Sequence, residues 1–158
     1  MLAAGAELGE RLSALYDDYA CACDEEIERW PELFTEEAVY KIVARENYER
    51  RLPLPTMSCE GRGMLRDRVT SILRTSVYVP RQTRHLISNV RVLEREGARI
   101  RCRASFAVYE SFADTGSRLL AVGRSFDLVV AEGDALRFAE KVCVYDGNVI
   151  PGSIIRPL

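Results

Sequence analysis

The side chains able to move a proton near neutral pH are few. The chain holds a single histidine, His85, beside 24 Asp and Glu and seven tyrosines. Histidine is the side chain best suited to general acid or base work at that pH. Joined by Asp67 and by Tyr16, Tyr40 or Tyr109, it would form the kind of set that dehydrates or isomerises a small substrate in an apolar pocket. The same residues have a structural use. A histidine at a strand start can be tied to a neighbouring carboxylate or carbonyl, and Asp67 in Arg66-Asp67-Arg68 can form an ion pair on a helix surface or at an interface. Iron chemistry meets a harder limit. A [2Fe–2S] centre held by two histidines and two cysteines needs more imidazole than one His supplies, and so does a mononuclear iron held by two histidines and a carboxylate. Cys21 and Cys23 stand one residue apart, which is not the spacing of a zinc knuckle, and no second close pair follows at Cys59, Cys102 or Cys143. Five cysteines, an odd count, read as free thiols in a reducing compartment, several of them buried.

The elements that must position these groups follow from periodicity. Leu8, Leu12, Leu15 and Tyr19 recur at helical spacing and predict an amphipathic helix over 6–22. Asp24 can cap a second, short helix with Glu25 and Glu26 in its first turn, and Pro31 suits the start of another turn through Leu33 and Phe34. Val39, Tyr40, Ile42 and Val43 give 38–45 the composition of a strand. Residues 46–63 then form an irregular wrap, in which Pro53, Pro55, Gly61 and Gly63 bracket a short apolar piece with a strand at 56–60. An insert of this length in a small domain points to a contact. Leu65, Val69 and Ile72 predict a helix over 64–76, ending before Pro80. The rest reads as sheet. Leu86, Val90 and Val92 fall on one face of a strand over 85–96. From Ile100 the even positions Cys102, Ala104, Phe106 and Val108 are apolar, and Arg99, Arg101 and Arg103 make a charged rail opposite them. Leu120, Val122, Phe126 and Leu128 share a face over 118–131. Leu136, Phe138, Val142 and Val144 share one over 135–145, with Arg137 and Lys141 opposite. Turn chemistry at 114–117 and 132–134 joins these strands.

Helices followed by a meander of antiparallel strands make an α+β domain. A curved meander wrapped on one long helix describes a cone-shaped, cystatin-like (NTF2-like) roll, and a single such domain accounts for 1–158. Its 158 residues, 47% hydrophobic and 29% charged, suffice for one buried core. A net charge of −2 offers no electrostatic footprint for nucleic acid. No apolar run approaches membrane-spanning length, and the first ten residues lack the basic and apolar regions of a signal peptide, which places the chain in the cytoplasm. Three surfaces are candidate protein interfaces: the arginine rail, the wrap (Pro53, Met57, Arg62) and the tail over 146–158 (Ile154, Arg156). Left free, the tail would expose Val149, Ile150, Ile154, Ile155 and Leu158, so it is expected to dock on its own sheet or on a partner.

The wording EN…LPL…M…CEG…GML…DRV over 46–69, followed by PRQTRH at 80–85, resembles the small (beta) subunits of Rieske-type aromatic-ring-hydroxylating oxygenases. It is most similar to those acting on aromatic carboxylates, the salicylate 5-hydroxylase, terephthalate, anthranilate and benzoate dioxygenases. The likeness runs from LYDDYA at 15–20 to DGNVIPGSIIRPL at 146–158. It implies the same NTF2-like fold and a non-catalytic beta component of an enzyme that uses O2 and NAD(P)H. Three small subunits would associate through their sheets and support three large (alpha) subunits. No cofactor would sit on this chain. The large subunit would carry a Rieske [2Fe–2S] cluster and a mononuclear Fe(II), fed by a reductase directly or through a ferredoxin, and a salicylate-like carboxylate would be the substrate. The residues alone leave two alternatives open: a free-standing NTF2-like dehydratase or isomerase using Asp67, His85 and a tyrosine such as Tyr109, and a small-ligand-binding cone without chemistry.

Overall fold

The computed structural model describes residues 2–158, with side chains from Gly5 onward. Helix α1 (Leu2–Asp24) is longer than its periodicity predicts and buries Leu12, Leu15, Tyr16, Tyr19 and Cys23 along one stripe. A 3₁₀ turn (Ile27–Leu33) follows and buries Ile27, Trp30 and Pro31. Asp24 does not cap it. Asp24 closes α1, and Glu26, the residue ahead of the turn, makes no side-chain cap bond. Strand β1 (Phe34–Ala44), a single helical turn α2 (Arg45–Glu49), and strand β2 (Met57–Glu60) lead to α3 (Gly61–Thr70), which ends in a π turn (Ser71–Thr75). Helix α3 begins three residues before the predicted start, at Gly61, whose φ of +82° lets the chain turn directly from β2. Strands β3 (Gln82–Glu96), β4 (Arg99–Phe112), β5 (Gly116–Glu132) and β6 (Ala135–Tyr145) complete the chain before the tail.

The six strands form one sheet in the order β2-β1-β6-β5-β4-β3. The β1/β6 pair is parallel and every other pair is antiparallel. Helix α1 and the 3₁₀ turn lie in the concavity, so the core forms between them and the inner face. Trp30, Phe34, Tyr40, Tyr16, Tyr19 and Phe138 make its aromatic centre, mostly edge to face at 5.1–6.4 Å. At Gly123 the backbone of β6 comes close to β5. A Cβ there would stand 1.9 Å from the Val144 carbonyl oxygen and 2.8 Å from Tyr145 Cα, so no other residue fits.

On β4 the alternation holds throughout: Ile100, Cys102, Ala104, Phe106 and Val108 are buried, and Arg99 and Arg101 face water. On the strands around it register shifts reassign the faces. Between β4 and β5 the shift at Val108/Tyr109 puts Leu120 in a bulge, so that Leu120 and Ala121 are both buried. Beyond it Val122, Phe126 and Leu128 do share a face, but it is the outer one, while Ser125 and Asp127 point inward. Between β5 and β6 Val129 pairs with Phe138 and Leu128 with Glu140, leaving Ala139 as the extra residue. Phe138 and Lys141 therefore both face the core, and Val142 and Val144 turn outward to pack with Val43 against Phe126. On β3 the shift between Ser88 and Arg91, with Asn89 at φ +56°, separates outward, exposed Leu86 from Val92, which pairs with inward-facing Cys102. Each bulge adds one residue and inverts the phase of everything after it.

Candidate functional site

One rung of the sheet carries most of the polar chemistry. Backbone register aligns Tyr40 on β1, Lys141 on β6, Asp127 on β5 and Cys102 on β4, all with inward side chains. The Lys141 ammonium, 2% exposed, lies 3.2 Å from Asp127 Oδ2. It also stands over the rings of Tyr19, Phe138 and Tyr16 at 4.5, 4.7 and 4.9 Å. The same carboxylate oxygen accepts from the Tyr16 hydroxyl at 2.5 Å and from Ser125 Oγ at 2.8 Å, whereas buried Oδ1 has no partner. Burial first, and then the Asp127 charge, raises Tyr16 far above the ordinary phenol range, so it stays a donor. Burial likewise pushes the Cys102 thiol up to about 12. The row is a closed network in which each charge is held by neighbours that never meet solvent.

His85 is equally engaged. Its Nδ1 lies 2.6 Å from Asp24 Oδ1, its backbone N–H donates to Asp24 Oδ2 at 2.8 Å, and Thr83 Oγ1 donates to Oδ1 at 3.1 Å. Its Nε2 is 2.9 Å from the Pro157 carbonyl oxygen. Both ring nitrogens face acceptors, so both bonds form only when each nitrogen carries hydrogen. Burial works to raise the Asp24 carboxyl, yet the hydrogen bonds and charge of His85 outweigh it and hold Asp24 below the usual aspartate range.

The tail closes the cone. Arg68 Nη2 donates to the carbonyls of Ile154 and Ile155 at 3.0 Å each, and Arg156 Nη1 donates to Cys23 O at 2.8 Å. Leu158, 1% exposed, is packed inside. The expected docking of the tail is thus on its own domain, although Val149 remains exposed. At the mouth, among Tyr78, Arg81, Thr83 and Pro157, the remaining cavity is about 10 Å³, room for about one water. Beside it Glu110 is gripped by Arg81 at 2.6 Å and by Arg118 at 3.0 and 3.1 Å, with both guanidinium groups against the Phe112 ring.

The proposed proton-transfer set does not converge. His85 is inside. Asp67 is exposed on α3, where its neighbours are engaged elsewhere: Arg66 binds Glu32 and Arg68 binds the tail. Tyr109 lies on the outer sheet face, 39% exposed and opposite Arg84. Tyr16 faces Asp127, and Tyr40 faces Leu158. A surface hollow of about 440 Å³ between α1 and β3 reaches Tyr16 but none of Asp67, His85 or Tyr109. Of the interface residues, Arg99, Arg101 and Pro53 are exposed, and Arg103 is half-buried on the outer face. Met57 and Ile154 pack against the core, Arg62 binds the Phe34 carbonyl and Glu36, and Arg156 holds α1. Sequence reasoning missed Asp24, Glu110, Asp127, Lys141 and Leu158 as site residues. Lys141 reads as lying opposite the apolar face because no residue type announces the bulge that turns it inward.

Among the described residues no three His, Cys, Asp or Glu side chains come together as a metal site. The donor set does not fit iron either: the one imidazole has both nitrogens taken, and the buried thiols of Cys23, Cys102 and Cys143 are raised by burial.

Comparison with known proteins bears directly on this arrangement. The chain is 30% identical over 135 residues to the anthranilate 1,2-dioxygenase small subunit of Burkholderia cepacia, covering 85% of this chain and 84% of that protein. A crystal structure of the beta subunit assigned to an aromatic-ring-hydroxylating dioxygenase of Novosphingobium aromaticivorans superposes with a TM-score of 0.87 at 28% identity, over 97% of this chain and 99% of that one. The beta subunit of the Burkholderia mallei benzoate 1,2-dioxygenase, 21% identical with a TM-score of 0.70 over 85% and 87% of the two chains, shares the fold. A family model described as "Ring hydroxylating beta subunit" matches residues 19–152. With its cone shut and its one histidine bound within it, the chain belongs to the beta-subunit family of the ring-hydroxylating dioxygenases.

Proposed function

We propose that this chain is the non-catalytic small subunit of a multicomponent Rieske non-haem iron oxygenase that hydroxylates an aromatic carboxylate, and that it works by holding the large subunits in place. One observation carries the reading. The charged groups of the inner face are each paired within the chain, whereas the outer face leaves apolar side chains open. Leu86, Tyr109, Leu119 and Val122 are 39–55% exposed there, with Arg84 beside Tyr109 and with Arg124, Arg103 and Arg101 following along β5 and β4. An apolar patch rimmed by arginine is the composition of a docking surface. Three copies pack through this face, and the exposed wrap around Pro53 meets the large subunits, giving three large and three small chains. The catalytic site lies on the alpha subunit, which carries the Rieske [2Fe–2S] cluster and the mononuclear Fe(II). No step of the reaction uses a side chain of this one. The relatives named for anthranilate and benzoate support an aromatic carboxylate substrate, with a salicylate-like acid as the narrower choice. The assembly works in the cytoplasm. Among the described residues no helix is long and apolar enough to cross a membrane.

The test is purification alone and with the large subunit. Alone, the chain is expected to be colourless and free of iron. Co-expressed, it is expected to elute with the iron protein as one complex. Stoichiometric iron on the isolated chain, or dehydratase turnover by it, contradicts the reading.

A further inference from the structure

The outer sheet face has two ends of different character. The apolar side chains of Leu86, Tyr109, Leu119 and Val122 gather toward the β4–β5 hairpin. Toward the β3–β4 hairpin the outward positions turn basic. Register sets Arg91 on β3 directly opposite Arg103 on β4, and on the next rung Ser88, Ser105 and Arg124 lie side by side across β3, β4 and β5. Side chains directly opposite stand about 4.5–5.5 Å apart at Cβ and diagonal ones about 7–8 Å, a span that long side chains bridge. Three guanidinium groups thus share one patch, with two serine hydroxyls beside them. Phe126, on the rung of Arg103, bounds the patch and stacks on Tyr48 at 5.1 Å.

Like charges facing each other across strands cost stability when no acid offsets them. Among the described residues Arg84 pairs with Glu25, Arg101 with Glu94 and Arg118 with Glu110, while Arg91, Arg103 and Arg124 make no ion pair. The opposition of Arg91 and Arg103 is also not a product of simple alternation. From Ser88 to Arg91 strand β3 advances three residues, while β4 advances two, from Ser105 to Arg103. The extra residue is taken up in a bulge at Asn89, whose backbone is left-handed at φ +56°. Without it Val90 would face Arg103, and Arg91 would point to the inner side. The bulge aims Arg91 outward, onto Arg103.

We propose that this basic end is a carboxylate-binding surface, and that the large subunit fills it with acidic side chains. The proposal rests on the assembly reading above and divides the outer face between two partners: the apolar end meets another small subunit, the basic end the large one. Arginine suits the task, because its planar fork binds a carboxylate through two hydrogen bonds. A second copy is the wrong occupant. The acids on β3 to β5 are already engaged: Glu94 and Glu96 stand opposite Arg101 and Arg99, Glu110 and Asp127 are buried in their own pairs, and Glu132 is held by Arg137 at 3.1 Å. Face against face, two copies bring arginine to arginine.

The test uses the full chain, its large subunit, and the variant Arg91→Glu with Arg124→Glu, both at exposed positions. Affinity for the large subunit is measured over a series of sodium chloride concentrations. Self-association and melting of the small chain alone are measured beside it. Capture by the unaltered chain should weaken steeply with salt. R91E/R124E should bind the large subunit about a hundredfold more weakly at low salt, with a flatter salt dependence. It should self-associate as before and melt no lower, because R91E sets a carboxylate opposite Arg103. Arg91→Gln with Arg124→Gln removes charge without adding repulsion; it should weaken capture about tenfold, and it carries the same readouts if the reversal does not fold. Capture that survives these changes, with its salt dependence intact, overturns this proposal and leaves the assembly reading standing. Loss of self-association by the folded variant also overturns it, since the basic end then belongs to a second copy. An unaltered chain that captures no large subunit removes the assembly reading itself, and the proposal with it.

Discussion

The two faces of the sheet invert the usual division of labour. The inner face holds Lys141, Asp127, Glu110 and His85, and each is bonded to partners that are themselves fixed. The outer face carries Leu86, Tyr109, Leu119 and Val122 half in water. A polar group inside is tolerated only when it is satisfied, and an apolar group outside persists without penalty only when something covers it. The inner charges are paired within the chain, though Asp127 Oδ1 is left without a partner; the outer apolar side chains have no cover of their own. That difference locates the unfinished business of this molecule on its outside.

Breaking the inner network should cost most. Lys141→Met strands the Asp127 carboxylate in the core, and a loss of about 3–5 kcal/mol is expected, read as a fall in the denaturant midpoint. Adding Asp127→Asn should recover part of it, because the uncompensated charge is gone. A single variant as stable as the parent would mean the pair is not buried as described.

Leu158→Ala comes next. A fully buried leucine truncated in a core costs about 2–5 kcal/mol, and the tail should at the same time become the first segment to exchange its amide hydrogens.

Asp24 gives a smaller, pH-dependent effect. Its carboxyl releases its proton more readily folded than unfolded, so unfolding in acid takes up a proton. Its stabilisation is fully present above the ordinary aspartate range and is lost as pH falls through the depressed value. The stability gap between the parent and Asp24→Asn should therefore be constant near neutrality and shrink below about pH 4. A gap that grows in acid contradicts the assigned bonding.

On the outer face the effect on folding should be smallest of all. Leu119→Arg with Val122→Arg should change stability by within about 0.5 kcal/mol, because neither side chain is part of the core.

What the sequence discloses divides along the same line. Strand β4 was legible because its even positions run unbroken from Ile100 to Val108, and α1 because Leu12, Leu15 and Tyr19 recur at helical spacing. The tail's docking was legible from its apolar load. The inward turn of Lys141 was not, since Ala139 looks like any strand residue and only the pairing with β5 makes it the extra one. His85 could be found by its type, but its partners lie 61 and 72 residues away, Asp24 through a helix end and Pro157 through the tail. Leu86 and Val122 read as members of apolar strand faces, but periodicity reports that a face is apolar without saying which side of the sheet it is on. The arginine rail falls on the outer face, with Arg99 and Arg101 exposed and Arg103 half-buried.

The most direct measurement is the molar mass, by sedimentation, of the chain mixed with its large subunit, compared between the unaltered protein and the L119R/V122R variant. The account expects the unaltered chain in one stable multimer, and the variant folded with the same melting temperature but monomeric and unable to hold the large subunits together. A variant that assembles as completely as the unaltered chain would contradict the claim that the outer sheet face is the working surface.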